Sequence, residues 1–163
     1  MQKVAQFMKV SQPQFEADWR FDAPCPWAKL RLPRRATSGS AGYDFFSPLD
    51  FTLAPGEFID IPTGVRARID PGWVLMLFPR SGQGFKYRVQ LYNSVGVIDS
   101  DYFGAENEGH IRIKLVNANS EGKTLVVRRG EAFAQGVLLP FGVTEDDDAV
   151  AVRTGGFGST DPA

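Results

Sequence analysis

The run GVIDSDYFG, from Gly96 to Gly104, hands a β-branched stretch over to two carboxylates and an aromatic ring. Asp99 could accept a proton from water there and aim that water at phosphorus. Equally, Asp99 and Asp101 could each bond their own backbone in Asx turns. If YNSVGVIDSDYFG folds as a hairpin, Asn93 and Tyr102 face one another and offer an amide and a ring to a planar ligand. A second segment, FPRSGQG, ends an apolar stretch with Arg80, Ser81 and Gly82. Guanidinium, hydroxyl and free backbone N–H groups on one turn are what hold phosphate oxygens, although a strand-ending turn with a solvated arginine is the plainer reading. No Walker-type pattern is present. In SGSAGYDFFSP, small residues precede Asp44 where a strand begins, which alone describes a turn as well as a site. The tail VRTGGFGSTDPA sets Phe157 between glycines and Arg153 four residues before it. Such a chain can lie flat on a ligand, stack a ring on a base and bring a cation to a terminal phosphate, closing as a lid. Together the segments supply phosphate donors, a general base, a stacking ring and a flap, the parts of a nucleotide hydrolase.

The elements that must position these groups read as strands. Glycine and proline recur every eight to twelve residues and cut out FIDIPTGVRARID, WVLMLFPR, IRIKLVN, TLVVRRG and QGVLLPF, several of which alternate apolar and polar residues. The expected fold class is all-β, a distorted jelly-roll or β-barrel, with one short helix near the N-terminus in QPQFEADWRF. There Phe15 and Trp19 fall four apart behind a Ser11 cap. Residues 1–152 form one β domain and 153–163 a flexible C-terminal flap of the same domain. TEDDDAV reads as a solvated loop. The one histidine, His110, has no histidine partner for a metal and reads as a polar strand residue.

With 163 residues and a net charge of −1, the chain suits a single domain and lacks the basic footprint of a duplex-binding protein, so no direct nucleic-acid binding is expected. Its single cysteine, Cys25, excludes an internal disulfide framework and a cysteine-rich zinc site, and has no local base-bearing motif that would make it a nucleophile. No segment approaches membrane-spanning length. A cytoplasmic location is expected, with a nuclear one open for a eukaryotic or viral source.

In order along the chain, ATSGSAGYDFFSP, PRSG, NSVGVIDSDYFG, RRGEAFAQGVLLP and RTGGFGST resemble the five motifs of the homotrimeric deoxyuridine triphosphatases, from about Leu32 to Thr160. The resemblance implies that Asp99 orients and activates the attacking water and that Tyr102 packs under the deoxyribose, leaving no room for a 2′-hydroxyl. It implies that Asn93 and the hairpin backbone at Gly96 and Ile98 read the uracil. Arg80, Ser81, Gly82 and Gln135 match phosphate-contacting positions, and Asp44 the aspartate that reaches metal-bound waters beside the triphosphate. Arg153, Phe157, Gly158 and Ser159 match the flap.

The implied reaction is hydrolysis of dUTP to dUMP and pyrophosphate with Mg²⁺, in active sites shared between the subunits of a homotrimer, limiting uracil in DNA and supplying dUMP. Two other readings are a dCTP deaminase of the same fold and a nucleotide-binding regulatory trimer with little turnover, whose protein partner the sequence does not reveal. The chain departs from the family pattern at Ala132, where an arginine is usual, and at Phe103, where arginine is also usual. It further departs in a fifth motif one residue shorter before the glycine pair, and in AENEGH, an insertion expected to lengthen a hairpin or a subunit contact.

Overall fold

The computed structural model describes residues 1–151, 153 and 155. Twelve strands and two short helices make up the regular structure among them, so the chain is mainly β as its alternating pattern predicts. In β10 (Arg112–Asn117) and β6 (Val65–Ile69), every second residue is buried, the period of a strand with one face on a core.

The largest sheet carries the site. Its middle strand is β12 (Ala132–Pro140), flanked by β3 (Tyr43–Phe46) and β7 (Trp73–Pro79); β2 (Arg34–Arg35) lies outside β3, and β9 (Gly96–Ile98) outside β7. All these pairings are antiparallel. A register shift between Ala132 and Ala134 bends β12 where it meets β3. A second sheet orders β5 (Phe58–Pro62), β10 and β8 (Val89–Leu91). Two pairs complete the set, β4 (Phe51–Leu53) with β11 (Leu125–Val127) and β1 (Ala5–Lys9) with β6. The sheets do not close into a barrel, so of the two expected forms the jelly-roll describes this chain. Phe45, Leu75, Leu77, Ile61, Leu115 and Phe133 lie in one core, each at most 1 % exposed.

The N-terminal helix stands where the sequence puts it. α1 (Gln12–Asp18) starts at Ser11, whose hydroxyl accepts from the Gln14 N–H at 3.2 Å, with Pro13 in the first turn, where a missing N–H costs nothing. Phe15 is fully buried and stacks at 5.4 Å on Trp19. The segment 141–150, which holds the acidic run, is exposed throughout.

α2 (Ser81–Tyr87) differs from expectation, because SGQGFKY reads as a turn. Two glycines and the absence of an apolar stripe hide it. It ends at Arg88, in the left-handed region at φ 52°, whose N–H bonds back to the Gln83 and Gly84 carbonyls. His110 also differs: it lies outside any strand, fully buried. Among the described residues no helix is long and apolar enough to cross a membrane.

Candidate active site

The chemistry-bearing residues fall in three places along β7: the β8–β9 turn, the Asp99 turn beside the start of β7, and the Arg80 loop after its end. At the first, β8 turns through Tyr92, Asn93 and Ser94 into β9. The Ser94 N–H donates to the Leu91 carbonyl at 2.9 Å, and Ser94 takes the left-handed conformation, φ 68°, that so tight a reversal demands. Asn93 thus sits at the tip, where it lines a cavity of about 250 Å³ together with Asp60, Tyr92, Arg112 and Lys114. β9 then runs along β7, pairing Gly96 with Leu77 and Ile98 with Leu75. Gly96 suits the position, since a Cβ would lie 3.0 Å from the Leu77 side chain, closer than side chains ordinarily pack. Beyond β9 the chain curls into a 3₁₀ turn, Ser100–Gly104, with Asp99 at its cap.

That turn corrects the expected hairpin geometry. No pairing sets Tyr102 opposite Asn93, because β9 pairs with β7 and Tyr102 belongs to the 3₁₀ turn at its far end. Tyr102 is 6 % exposed. Its hydroxyl donates to the His110 carbonyl and accepts from Asn107 Nδ2, both at 2.9 Å. Burial pushes this phenol above its ordinary pKa of 10.0. Asp99 and Asp101 are half exposed, and Arg153 binds both, Nη2 to Asp99 Oδ2 at 2.8 Å and Nε to Asp101 Oδ1 at 3.0 Å. Its guanidinium carbon lies 5.9 Å from the Tyr102 ring centre. Asp99, Tyr102 and Arg153 therefore meet within one chain.

At the other end of β7, Arg80 leaves the strand and its Nε lies 3.1 Å from Asp44 Oδ1. Asp44 pairs across β3 with Gln135 of β12. The Gln135 amide donates to the Pro79 carbonyl at 3.0 Å and so fixes the backbone from which Arg80 departs. Gly42 makes room for it, because a Cβ there would stand 2.6 Å from Gln135 Oε1. Ser81 and Gly82 open α2, whose first turn has no side-chain cap. At Ala132, where the sequence lacks the expected arginine, the backbone carbonyl instead accepts from Gln83 Nε2 at 3.2 Å, tying α2 to β12.

These groups do not meet in one chain. Continuing the β7–β9 register sets Asp99 beside Val74, at the start of β7, while Arg80 follows its last residue. At ~3.3 Å per residue the strand holds them roughly 20 Å apart. Phe157, Gly158 and Ser159 lie outside the described residues.

Sequence reasoning missed a third set of residues, behind Tyr102. The AENEGH insertion makes contacts within its own chain. Glu108 accepts from the Ser11 N–H at 2.8 Å and from its hydroxyl at 2.6 Å, and lies 3.9 Å from Arg66. Arg66 covers the Phe103 ring at 3.7 Å and donates to the Phe103 carbonyl at 2.6 Å. The His110 ring accepts the Gly64 N–H on Nε2 at 2.8 Å, and its Nδ1 lies 2.5 Å from Asp18. A backbone N–H can only donate, so Nε2 is bare and Nδ1 carries the proton: the imidazole is neutral. Burial pushes its pKa below 6.5, outweighing the Asp18 carboxylate that pulls it up. Burial opposes the charge on Asp18 too, but hydrogen bonds from Gln14 and His110 and the charge of Arg112 hold it below 3.8. The one available signal was Ser11 standing before a helix with no acidic residue in its first turn; its reciprocal carboxylate comes from Glu108.

Comparison with known proteins places the chain. The dUTPase family model matches residues 28–161. The deoxyuridine 5′-triphosphate nucleotidohydrolase of Lactococcus lactis subsp. lactis is 43% identical over 136 residues, covering 82% of this chain and 89% of the relative. That of Hahella chejuensis is 42% identical over 140 residues, 81% and 88%. A crystal structure of the Streptococcus mutans dUTPase matches with a TM-score of 0.63 at 34% identity, over 85% of this chain and 98% of that one. The chain belongs to the dUTPase family.

Proposed function

We propose that this protein hydrolyses dUTP to dUMP and pyrophosphate by attack of water on the α-phosphorus, in sites completed between the subunits of a homotrimer. One observation carries the assembly: the candidate base and the phosphate-binding group lie ~20 Å apart at opposite ends of β7, whereas a base must stand within ~3 Å of the water it activates, beside the phosphorus. A site therefore needs the hairpin of one chain and the Arg80 loop of another. Exposed Val97 on β9 and exposed Val126, Leu139 and Phe141 supply apolar surface for such packing. The match to the dUTPase family supports this chemistry over deamination of dCTP. The free, exposed Cys25 suits the reducing cytoplasm.

Asp99 takes the proton of the attacking water. Arg153 rests on it and transfers to the polyphosphate when substrate arrives, because a guanidinium prefers the denser charge. Arg80, Ser81 and the N–H of Gly82 bind phosphate oxygens, and Gln135 positions them through Pro79. Asn93 with the backbone at Gly96 and Ile98 reads uracil. The Tyr102 ring lies under the deoxyribose and excludes a 2′-hydroxyl. Phe157, Gly158 and Ser159 close the flap over the base.

The donor set fits Mg²⁺ brought by the triphosphate. Asp44 offers a hard carboxylate oxygen beside Arg80. Among the described residues no group of three or more His, Cys, Asp or Glu could hold a metal alone, and Mg²⁺ commonly takes one or two carboxylates together with waters and substrate phosphates. Bound there, it would supply neutralisation of charge on the leaving pyrophosphate.

Mixing two impaired proteins tests the reading. Asp99→Asn and Arg80→Ala chains, unfolded and refolded together, should regain activity in about a quarter of sites, since hairpin and loop are each intact with probability one half. A parallel mixture of Asp99→Asn with a chain truncated before Arg153 asks whether the flap crosses as well. Verified mixed trimers no more active than the mean of their parents in the first mixture would overturn the shared site.

A further inference from the structure

The reading of Tyr102 as the sugar selector leaves open what holds its ring in place, and the structure answers with residues from the insertion and the N-terminal helix. We propose that Asn107 is a positioning residue for Tyr102, and that the 105–110 loop, clamped to α1 behind it, sets how strongly the enzyme discriminates deoxyribose from ribose.

Tyr102 has one hydroxyl proton and uses it on the His110 carbonyl, while Asn107 donates to the oxygen. The orientation of the Asn107 amide follows from its other contact: the Gly109 N–H, 3.2 Å away, can only donate, so Oδ1 faces it and Nδ2 faces Tyr102. Both partners of the hydroxyl are thus supplied by the loop that follows the selector; the bond to His110 is buried and the one from Asn107 partly buried, where misalignment is costly. The loop itself cannot drift. Gly109 at φ 67° lies so close that a Cβ would stand 2.6 Å from the Tyr102 carbonyl oxygen and 2.8 Å from Phe103 Cα. His110 is pinned on both ring nitrogens, by Gly64 and Asp18, and Glu108 by both donors of Ser11. A selector that works by excluding one oxygen atom needs its ring fixed to a fraction of an ångström, because a displacement of ~1 Å remote from the chemistry can cost about a hundred-fold. This inference rests on the reading of Tyr102 given above, and the experiment separates the two.

The experiment measures kcat/KM for dUTP and for UTP by pyrophosphate release in Asn107→Ala, Tyr102→Phe, Tyr102→Ala and the double variant Asn107→Ala/Tyr102→Phe, with thermal midpoints alongside. Tyr102→Phe keeps the ring and removes only the bonds, so it decides the matter should Asn107→Ala fail to fold. The expected result is a several-fold rise of the UTP to dUTP ratio in Asn107→Ala and in Tyr102→Phe, toward the ratio of Tyr102→Ala, with no further rise in the double variant. If Tyr102→Ala raises the ratio while Tyr102→Phe leaves it at the parental value, the ring selects without the brace and the proposal falls alone. A proportional loss on both substrates at an unchanged ratio makes the loop a structural prop and overturns the proposal too. An unchanged ratio in Tyr102→Ala removes the selector reading itself, and this inference with it.

Discussion

The two ends of β7 are built on opposite plans. At the Tyr102 end, the functional ring is buried, its hydroxyl is saturated, and the loop behind it is tied to a helix about ninety residues away in sequence by Glu108 with Ser11 and by His110 with Asp18. At the Arg80 end, the side chain is 43% exposed, its one ion pair among the described residues is with Asp44, and α2 begins without a side-chain cap. Discrimination by shape needs rigidity, and rigidity comes from burial and hydrogen bonds. Binding of phosphate needs unspent charge and free N–H groups, which a well-satisfied interior would not leave. On the proposed function, the contrast suits one region to selection and the other to grip.

That contrast can be broken in several ways. The largest effect belongs to Asp99→Asn, which keeps shape and removes basicity: turnover should fall on the order of a hundred-fold or more while dUTP still binds. Stability should hardly move, since an exposed ion pair contributes at most about 1 kcal/mol. Pyrophosphate release together with equilibrium binding checks both, and near-parental turnover would reduce Asp99 to a turn residue. Arg80→Ala should cost about ten- to a hundred-fold, visible in kcat/KM, with Arg80→Lys restoring only part of it because an ammonium cannot make a forked contact. Unchanged kinetics would remove the gripping end from the mechanism.

On the rigid side, Phe15→Ala empties a fully buried site beneath Trp19 and His110 and should destabilise by about 3–5 kcal/mol, read by urea unfolding at fixed protein concentration. A loss below about 1 kcal/mol would mean that α1 is not part of the core. The smallest effect is on pH. The folded imidazole of His110 sits below 6.5 while the unfolded one titrates near it, so the folded state binds fewer protons there. Its contribution is fully present above about 6.5 and is lost as pH falls from there toward the lower folded value. Asp18, also held low, adds a further loss beneath about 3.8 as pH falls toward its own folded value. Thermal midpoints should decline between pH 7 and 5, and His110→Gln should flatten the decline. A midpoint that rises on acidification over that range would show that the buried imidazole is not neutral.

The legible and illegible parts of this molecule divide along the range of the forces involved. Ser11, Phe15 and the α1 helix were readable because a cap and a four-residue spacing act within one turn. The strands were readable because their alternation is local. α2 was not, since a short helix with two glycines has no propensity of its own and forms where Gln83 reaches the Ala132 carbonyl and Arg88 accepts a left-handed turn. His110 reads as a polar strand residue in the sequence because a lone histidine shows nothing of partners far away at Gly64 and Asp18.

The sequence by itself determined the candidate chemistry: the ordered segments around Asp44, Arg80, Asp99, Gln135 and Arg153 carry the family's identity because each active group sits in a short run whose neighbours are constrained by backbone approach. Tertiary structure alone decided which groups share a site. It set Asp99 with Tyr102 and Arg153, held Arg80 and Asp44 about 20 Å away along β7, and turned an unassigned insertion into the brace behind Tyr102. The physical reason is that antiparallel pairing fixes the direction and register of every strand, and that information lies in contacts between residues far apart in the chain.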